Sequence, residues 1–213
     1  MADNNALYKL ALRDKKFYPV IAYGSAGTGK TYGAVEAAYE GITHNKYQQI
    51  IVTRPNVSFA DTNGFLPGTE REKMEPWVRP IFQHLNTFCP SYVSDKWERD
   101  GKLLFYPLEF IQGMTFDNSF IIVDECQNIT FDQLKVLLTR TGKYSKLVLC
   151  GDIAQVSPKF ANSGLAELIR MVEYLDMPVH RIEFTHEDIL RSEQCKQWIK
   201  AFENWEIVNA VRS

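Results

Sequence analysis

The chain has 213 residues, of which 45% are hydrophobic and 23% are charged, and its formal net charge is −2 at pH 7. This length suits one α/β domain with a full core and is too short for two domains of that size. We therefore do not expect a motor protein with two nucleotide-binding lobes in this chain. Because the net charge is close to zero, any binding of nucleic acid must come from a local patch or from assembly of several chains.

The cysteines and histidines do not have the spacing of a metal centre. The four cysteines include no C-x-x-C pair and form no metal-ligand pattern with the four histidines, so we expect reduced thiols. The N-terminus carries the polar residues Asp3, Asn4 and Asn5, and no apolar run approaches the ~18 residues of a membrane span. We therefore expect a cytoplasmic protein without a membrane partner.

Short apolar runs alternate with longer amphipathic stretches along the chain. This alternation is typical of an α/β fold, with a mostly parallel sheet flanked by helices. The strands are predicted at 18–23, 49–53, 102–106, 120–123, 147–150 and 179–184. Helices are predicted at 31–41 with Gly41 as its end, from the capping box Thr130–Gln133 onwards, and at 163–174.

A complete phosphate-binding motif follows the first predicted strand. It has the form G-x-x-x-x-G-K-[ST] and reads Gly24, Ser25, Ala26, Gly27, Thr28, Gly29, Lys30 and Thr31. The glycines let the backbone N–H groups face the phosphates, and the next helix directs its positive N-terminal dipole at them. We expect Lys30 to reach the β- and γ-phosphates and the Thr31 hydroxyl to bind Mg²⁺. The motif therefore predicts that the chain binds ATP together with Mg²⁺.

The segment 54–88 interrupts the alternation. It contains four prolines, two glycines and a mixed charge cluster, with aromatic residues between them. Connections of this length are usually functional or disordered, and we interpret this one as an ordered insertion, with a decorated surface loop as the alternative. Its cations and rings are of the kind that bind single-stranded nucleic acid; the candidates are Arg54, Arg71, Lys73, Trp77 and Arg79.

Two adjacent carboxylates, Asp124 and Glu125, end the apolar run 120–123. We expect Asp124 to hold the Mg²⁺ shell and Glu125 to polarise the attacking water. Because neighbouring strand residues face opposite ways, both can serve one site only where the strand ends and the chain turns over the site.

The next predicted strand leads into Gly151-Asp152-Ile153-Ala154-Gln155. Polar groups at this end of a parallel strand lie where such sheets bind ligands. The Gln155 amide can donate to a phosphate oxygen and accept from the attacking water, so we expect it to sense the γ-phosphate.

Together these motifs resemble the PhoH-like, phosphate-starvation-inducible ATPases, whose core is similar to the first motor domain of superfamily 1 helicases. The resemblance covers nearly the whole chain and implies a single RecA-like P-loop NTPase domain over residues 1–213. It rests on the phosphate-binding motif and on five further strings: Thr53-Arg54-Pro55, Gly64-Phe65-Leu66-Pro67-Gly68, Asp124-Glu125-Cys126-Gln127-Asn128, Gly151-Asp152-Ile153-Ala154-Gln155 and Asp188-Ile189-Leu190-Arg191.

The resemblance implies an ATPase that couples hydrolysis to work on single-stranded RNA or DNA. Asn5 stands where the family tends to carry an adenine-reading Gln, and Gln112-Gly113-Met114-Thr115 replaces the family's Arg-Gly-Arg-Thr string. Because one lobe forms no two-lobe cleft, we expect Arg191 to act as an arginine finger in a neighbour's site, within a ring-shaped homo-oligomer such as a hexamer. The alternative for Arg191 is a solvated arginine or an intrachain salt bridge.

Two other functions stay open at this point. One is a small-molecule phosphotransferase that uses the same phosphate-binding motif. The other is a nucleotide-gated switch that hydrolyses slowly. The pairing of Glu125 with Asp124, and the amide of Gln155, favour water activation over phosphate transfer.

Overall fold

A computed structural model describes residues 3–55, 70–111, 113–152 and 163–212, with their side chains except those of 70–73, 203 and 206–212. Six strands pair in parallel throughout, in the order β3-β2-β4-β5-β1-β6. The strands are β1 (Val20–Gly24), β2 (Gln49–Arg54), β3 (Leu103–Pro107), β4 (Ser119–Val123), β5 (Lys146–Gly151) and β6 (His180–Phe184).

Seven helices occur within the described ranges. They are α1 (Asn4–Arg13), α2 (Lys30–Thr43), α3 (Glu70–Leu85), α4 (Ser91–Arg99), α5 (Phe131–Arg140), α6 (Gly164–Tyr174) and α7 (Glu193–Arg212). Short 3-10 turns lie at Leu108–Ile111, Cys126–Asn128 and His186–Asp188.

The sheet separates two apolar cores, because successive strand residues point to opposite faces. In β1, Val20 and Ala22 face the core that α1, α2 and α3 cover, whereas Ile21 faces the core of α5 and α6. The predicted fold class, a RecA-like P-loop domain with a parallel sheet flanked by helices, is confirmed. Each observed strand begins and ends within two residues of its predicted position.

The helices depart from the prediction in identifiable ways. Gly41 does not end α2, which continues to Thr43; the glycine is buried because the ring of Tyr47 packs where a Cβ would stand. The sequence analysis missed α1, although Asp3 is its N-cap and accepts from the N–H groups of Asn5 and Ala6 at 3.0 and 3.2 Å. It also missed α4 and α7.

The described part of the proline-rich segment 54–88 is largely helical. Although Pro76 and Pro80 lie inside it, α3 packs on α2 and buries Ile81 and Leu85 in the core. An internal proline removes a helical hydrogen bond, which is why the sequence argued against a helix here. From residue 70 onwards, the predicted insertion is therefore part of the layer that covers the sheet; residues 56–69 are outside the described ranges.

None of the helices described combines the length and the apolar character needed to cross a membrane.

A lysine is completely buried at the opposite end of the sheet from the carboxyl ends of the strands. Lys146 begins β5, and its Nζ donates to the carbonyl oxygen of Tyr18 at 3.1 Å. Burial lowers the pKa of Lys146 to about 8, and the charge of Asp14 only partly opposes this shift. The carboxylate of Asp14 is itself 2.7 Å from Nε2 of His180. Lys146 therefore destabilises the fold while it is charged.

We predict that Lys146→Met changes how stability depends on pH. Since the pKa of Lys146 is lower in the folded chain than the ~10.4 of an unfolded lysine, the unfolded chain binds more protons between these two values. The free energy of unfolding then rises with pH across that window. Between pH 7 and 10 the wild type should gain about 2 kcal/mol relative to Lys146→Met, as measured by urea unfolding. The exposed Lys135→Met should follow the wild-type curve; identical curves for all three proteins would contradict the assignment.

Candidate active site

The carboxyl ends of four neighbouring strands surround one site. Because all strands are parallel, the segments that follow β1, β4, β5 and β6 meet at the same edge of the sheet. These segments carry the phosphate loop (residues 24–31), the carboxylates Asp124 and Glu125, Asp152, and the residues 185–191.

The phosphate loop begins directly on the backbone of β6. Gly24 has φ +112°, and a Cβ at this position would overlap the carbonyl oxygen of Phe184. That same oxygen accepts from the N–H of Ser25 at 3.2 Å. Only glycine allows both the positive φ and this approach of the two backbones. The turn and the packing against β6 therefore each require glycine at the first position of the motif.

The side chain of Lys30 is folded into the phosphate loop. Its Nζ donates to the carbonyl oxygens of Gly24 and Ser25, both at 2.7 Å, and to Oγ1 of Thr28 at 3.3 Å. Burial lowers the pKa of Lys30 from its ordinary value, and the charge of Asp152 opposes that shift. The ammonium group is thus held inside the loop, where phosphate oxygens can replace the carbonyl acceptors.

Thr31 and Asp124 are in direct contact, although 93 positions separate them. Oγ1 of Thr31 donates to Oδ1 of Asp124 at 2.8 Å. Burial and the neighbouring Glu125 raise the pKa of Asp124, while the Thr31 hydroxyl and the charge of Arg54 lower it. This is a half-buried carboxylate that a bound cation would stabilise.

The oxygen donors of this pair fit Mg²⁺, which commonly takes one or two protein oxygens and fills its remaining positions with water and phosphate oxygens. Across the described ranges, no group of three or more His, Cys, Asp and Glu side chains is arranged to hold a metal by itself. Thr31 and Asp124 are therefore the residues that would hold Mg²⁺ here.

Glu125 follows Asp124 at the point where the chain turns sharply. It has φ +53°, which is unusual for a residue with a side chain, and it precedes the 3-10 turn Cys126–Asn128. Oε2 of Glu125 accepts from Nε2 of Gln127 at 2.6 Å. The two carboxylates thus lie where β4 ends, as the sequence predicted.

Arg191 lies on the phosphate loop of its own chain. The N–H of Leu190 donates to the carbonyl oxygen of Gly27 at 3.0 Å, and a Cβ on Gly27 would lie 2.8 Å from Nε of Arg191. The contact follows from the strand order: β6 pairs with β1, so the chain leaves β6 beside the loop that follows β1. The expected role of Arg191 in a neighbour's site stays a prediction.

Asn5 and Gln155 are the two amide residues predicted for the site, and the structure describes only Asn5. The hydrogen bond of Asn5 is made by its backbone N–H to Asp3, whereas Nδ2 of Asn4 donates to Oδ2 of Asp188 at 2.9 Å. Asn4 is thus the asparagine that contacts the segment over the phosphate loop, and the base-reading role of Asn5 stays a prediction. Gln155 lies outside the described residues.

Three of the candidate nucleic-acid residues, Arg54, Trp77 and Arg79, have side chains that the structure describes, and their surroundings differ. Arg54, at the end of β2, is close enough to lower the pKa of Asp124 and so belongs to the site. The ring of Trp77 packs edge-on against Phe105, 5.8 Å between centroids, which makes it a packing residue instead of an open stacking platform. Arg79 is exposed and lines a groove of about 570 Å³. The side chains of Arg71 and Lys73 are outside the described set.

Sequence reasoning missed a tyrosine that supports the phosphate loop. Tyr8 of α1 is buried, and its hydroxyl donates to the carbonyl oxygen of Lys30 at 2.8 Å. Its ring lies edge-on to Phe184 at 5.5 Å and rests on Gly33. The one signal in the sequence was the N-cap residue Asp3, which would have placed Tyr8 on a helix.

Comparison with known proteins identifies similar chains. The family model described as PhoH-like protein matches residues 2–203. A PhoH-like protein of Mycobacterium tuberculosis (strain ATCC 25618 / H37Rv) is 36% identical over 188 residues, which are 88% of this chain and 53% of the relative. A PhoH-like protein of Bacillus subtilis (strain 168) is 36% identical over 185 residues, 86% of this chain and 58% of the relative. The chain thus spans about half the length of the curated relatives it matches.

Among solved structures, the Sulfolobus solfataricus SWI2/SNF2 ATPase core in complex with dsDNA is 14% identical and has a TM-score of 0.49. The alignment covers 84% of this chain and 42% of that chain. A likeness this distant supports no statement about activity.

Proposed function

This chain belongs to the PhoH-like protein family, and on that premise we propose that it binds ATP with Mg²⁺ and hydrolyses it. The observation that carries the proposal is the contact between Thr31, the last residue of the phosphate loop, and Asp124, which is followed by a second carboxylate. The phosphate loop, the Thr31 hydroxyl and the carboxylate pair that begins with Asp124 are therefore close together. A chance glycine-rich turn would not place a hydroxyl 2.8 Å from a carboxylate at the end of β4, which β5 separates from β1 in the sheet.

In the proposed reaction each residue has a separate task. Lys30 exchanges the carbonyls of its own loop for the β- and γ-phosphates, and Thr31 and Asp124 hold Mg²⁺. When bound, Mg²⁺ neutralises charge on the phosphate oxygens. Glu125 accepts a proton from the water that attacks the γ-phosphorus, and the bond from that phosphorus to the β–γ bridging oxygen breaks.

Arg191 completes the proposed site from within the chain. Its side chain covers Gly27, the fourth residue of the phosphate loop. A guanidinium group beside the phosphates stabilises the charge that develops on the γ-phosphoryl group during transfer. The contact supports a finger that acts in cis.

We also propose that the chain self-associates as a ring, on grounds other than Arg191. Trp198, Phe202 and Trp205 lie on one face of α7 and are 60%, 62% and 59% exposed. The first two rings are stacked, with centroids 5.8 Å apart. Exposed aromatic groups of this kind commonly mark contact surfaces between proteins.

Coupling to single-stranded RNA or DNA is the final part of the proposal. Arg54 supports it, because this residue begins the segment 54–88 and its charge acts on Asp124. A strand held by the cations of that segment would therefore be electrostatically linked to the Mg²⁺-holding carboxylate.

We predict that binding and chemistry separate in two variants. Lys30→Ala should lose tight triphosphate binding, because it removes the loop's cation. Glu125→Gln should keep binding and lose turnover by about 10²-fold or more, as expected when a general base is removed. Fluorescent-nucleotide titration and phosphate release, both with Mg²⁺, measure the two effects. Equal loss of affinity in both variants would contradict the role of Glu125.

We predict that Arg191 acts in cis. Arg191→Ala should lower kcat by about 100-fold, a typical cost of removing a donor to transition-state charge. Mixing Arg191→Ala chains with Lys30→Ala chains should restore no activity at any ratio, since no chain then holds both groups. Recovered phosphate release would instead show that neighbours share sites. Light scattering on the same mixtures measures self-association independently.

We predict that Arg79→Glu weakens binding of a labelled single-stranded RNA several-fold and lowers the slope of log K against log salt by about 1. Hydrolysis without RNA should stay at the wild-type rate, because Arg79 does not touch the site. The exposed Arg170→Glu on α6 makes the same charge change elsewhere and should leave binding alone. An unchanged affinity and slope in Arg79→Glu would remove this residue from the proposed surface.

A further inference from the structure

The side-chain amide of Gln127 is buried and bonded at both ends. Gln127 is 2% exposed. Its Nε2 donates to Oε2 of Glu125 at 2.6 Å, and its Oε1 accepts from the backbone N–H of Asp152 at 3.0 Å. One side chain therefore joins the carboxylate after β4 to the first residue after β5.

The two partners allow only one orientation of this amide. Rotating the group by half a turn would place its oxygen against the Glu125 carboxylate and its NH₂ against the N–H of Asp152. Both contacts would be repulsive, and in a buried site neither could be relieved by water. The position of the amide nitrogen is thus set by its surroundings.

Glu125 needs such support because its backbone is in an unusual conformation. With φ +53°, its carboxylate is placed by a turn that a non-glycine residue seldom adopts. Among the described residues, Gln127 makes the only hydrogen bond to this carboxylate, and it uses Oε2. Within the described ranges, Oε1 of Glu125 accepts no side-chain or backbone hydrogen bond, so Oε2 is the oxygen that Gln127 holds.

We propose that Gln127 is a positioning residue, which fixes the Glu125 carboxylate and ties its orientation to the end of β5. This inference rests on the proposed hydrolysis for its kinetic consequence. Through this amide, the carboxylate of Glu125 is connected to the backbone N–H of Asp152 at the end of β5.

Two substitutions separate the two hydrogen bonds. Gln127→Glu keeps an acceptor for Asp152 but replaces the donor to Glu125 by a carboxylate, whereas Gln127→Leu removes both bonds. A hydrogen bond to a charged group corresponds to about 10- to 100-fold in rate, so both variants should lose that much in kcat. The nucleotide dissociation constant should stay within about threefold. Gln48→Glu, which makes the same charge change at the amino end of β2, should behave as wild type.

A double-variant cycle distinguishes positioning from general structural support. If Gln127 acts through Glu125, then Gln127→Leu should cost nothing further in kcat when Glu125 is already Gln. Losses that multiply would overturn the proposal, and so would a Gln127→Glu protein with wild-type kcat. The cycle is read only on proteins whose circular dichroism and melting temperature match those of wild type.

A measurement without turnover tests the contact even if the chain fails to hydrolyse ATP. In ¹⁵N-labelled protein, the side-chain NH₂ resonance of Gln127 is identified by its absence in Gln127→Leu. In Glu125→Gln this resonance should shift, because its acceptor is no longer charged. The backbone N–H resonance of Asp152 should move with it. No shift at either position would refute the link, whereas an inactive wild type that shows both shifts would refute only the proposed hydrolysis.

Discussion

Parallel pairing of β1 with β6 is the constraint on which the site depends. It places the carbonyl oxygen of Phe184 beneath Gly24, so the phosphate loop starts from a bonded neighbour instead of a free strand end. The same pairing directs the chain after β6 across the loop, where Leu190 bonds to Gly27. If β6 lay elsewhere in the sheet, the sequence of the phosphate loop would be unchanged, but Phe184 and Leu190 would no longer contact it.

Cations and carboxylates occur together among the site residues that the structure describes. Lys30, Arg54 and Arg191 contribute three cations, and Asp124, Glu125 and Asp152 contribute three carboxylates. Burial lowers the pKa of Lys30 and raises the pKa of Asp124, because it disfavours the charged form of each group. Without opposite charges nearby, each charged form would be less stable. A triphosphate adds more negative charge than one Mg²⁺ removes, and the cations lining the loop are placed to meet that excess.

The fold could be predicted from the sequence because β2, β4 and β5 are short runs, largely apolar, that are buried on both faces of the sheet, and β6 alternates buried and exposed residues. The helices were harder for physical reasons. α7 exposes its aromatic residues, so it lacks the buried stripe that marks an amphipathic helix, and α3 contains Pro76 and Pro80. In both helices the local sequence pattern does not indicate the helix that the folded chain forms.

The candidate site, too, was predictable only in part from the sequence. The phosphate-loop residues and the Asp124–Glu125 pair were found because their spacing is fixed by a local turn or a strand end. The contact of Arg191 with the phosphate loop of its own chain was not predicted, since it depends on strand order, which spacing does not encode. Gln127 was part of a recognised string, but its two bonds depend on where Asp152 lies, and that is a tertiary fact.

The bonds of Lys30 to its own loop have a consequence for ligand discrimination. The ammonium group is bonded to three oxygen acceptors of its own loop, so a phosphate group would gain affinity from Lys30 only where its oxygens more than offset those acceptors. A ligand without phosphates would gain nothing from this lysine. The acceptors that the loop supplies to its own cation would thus set the threshold that a phosphate ligand must exceed.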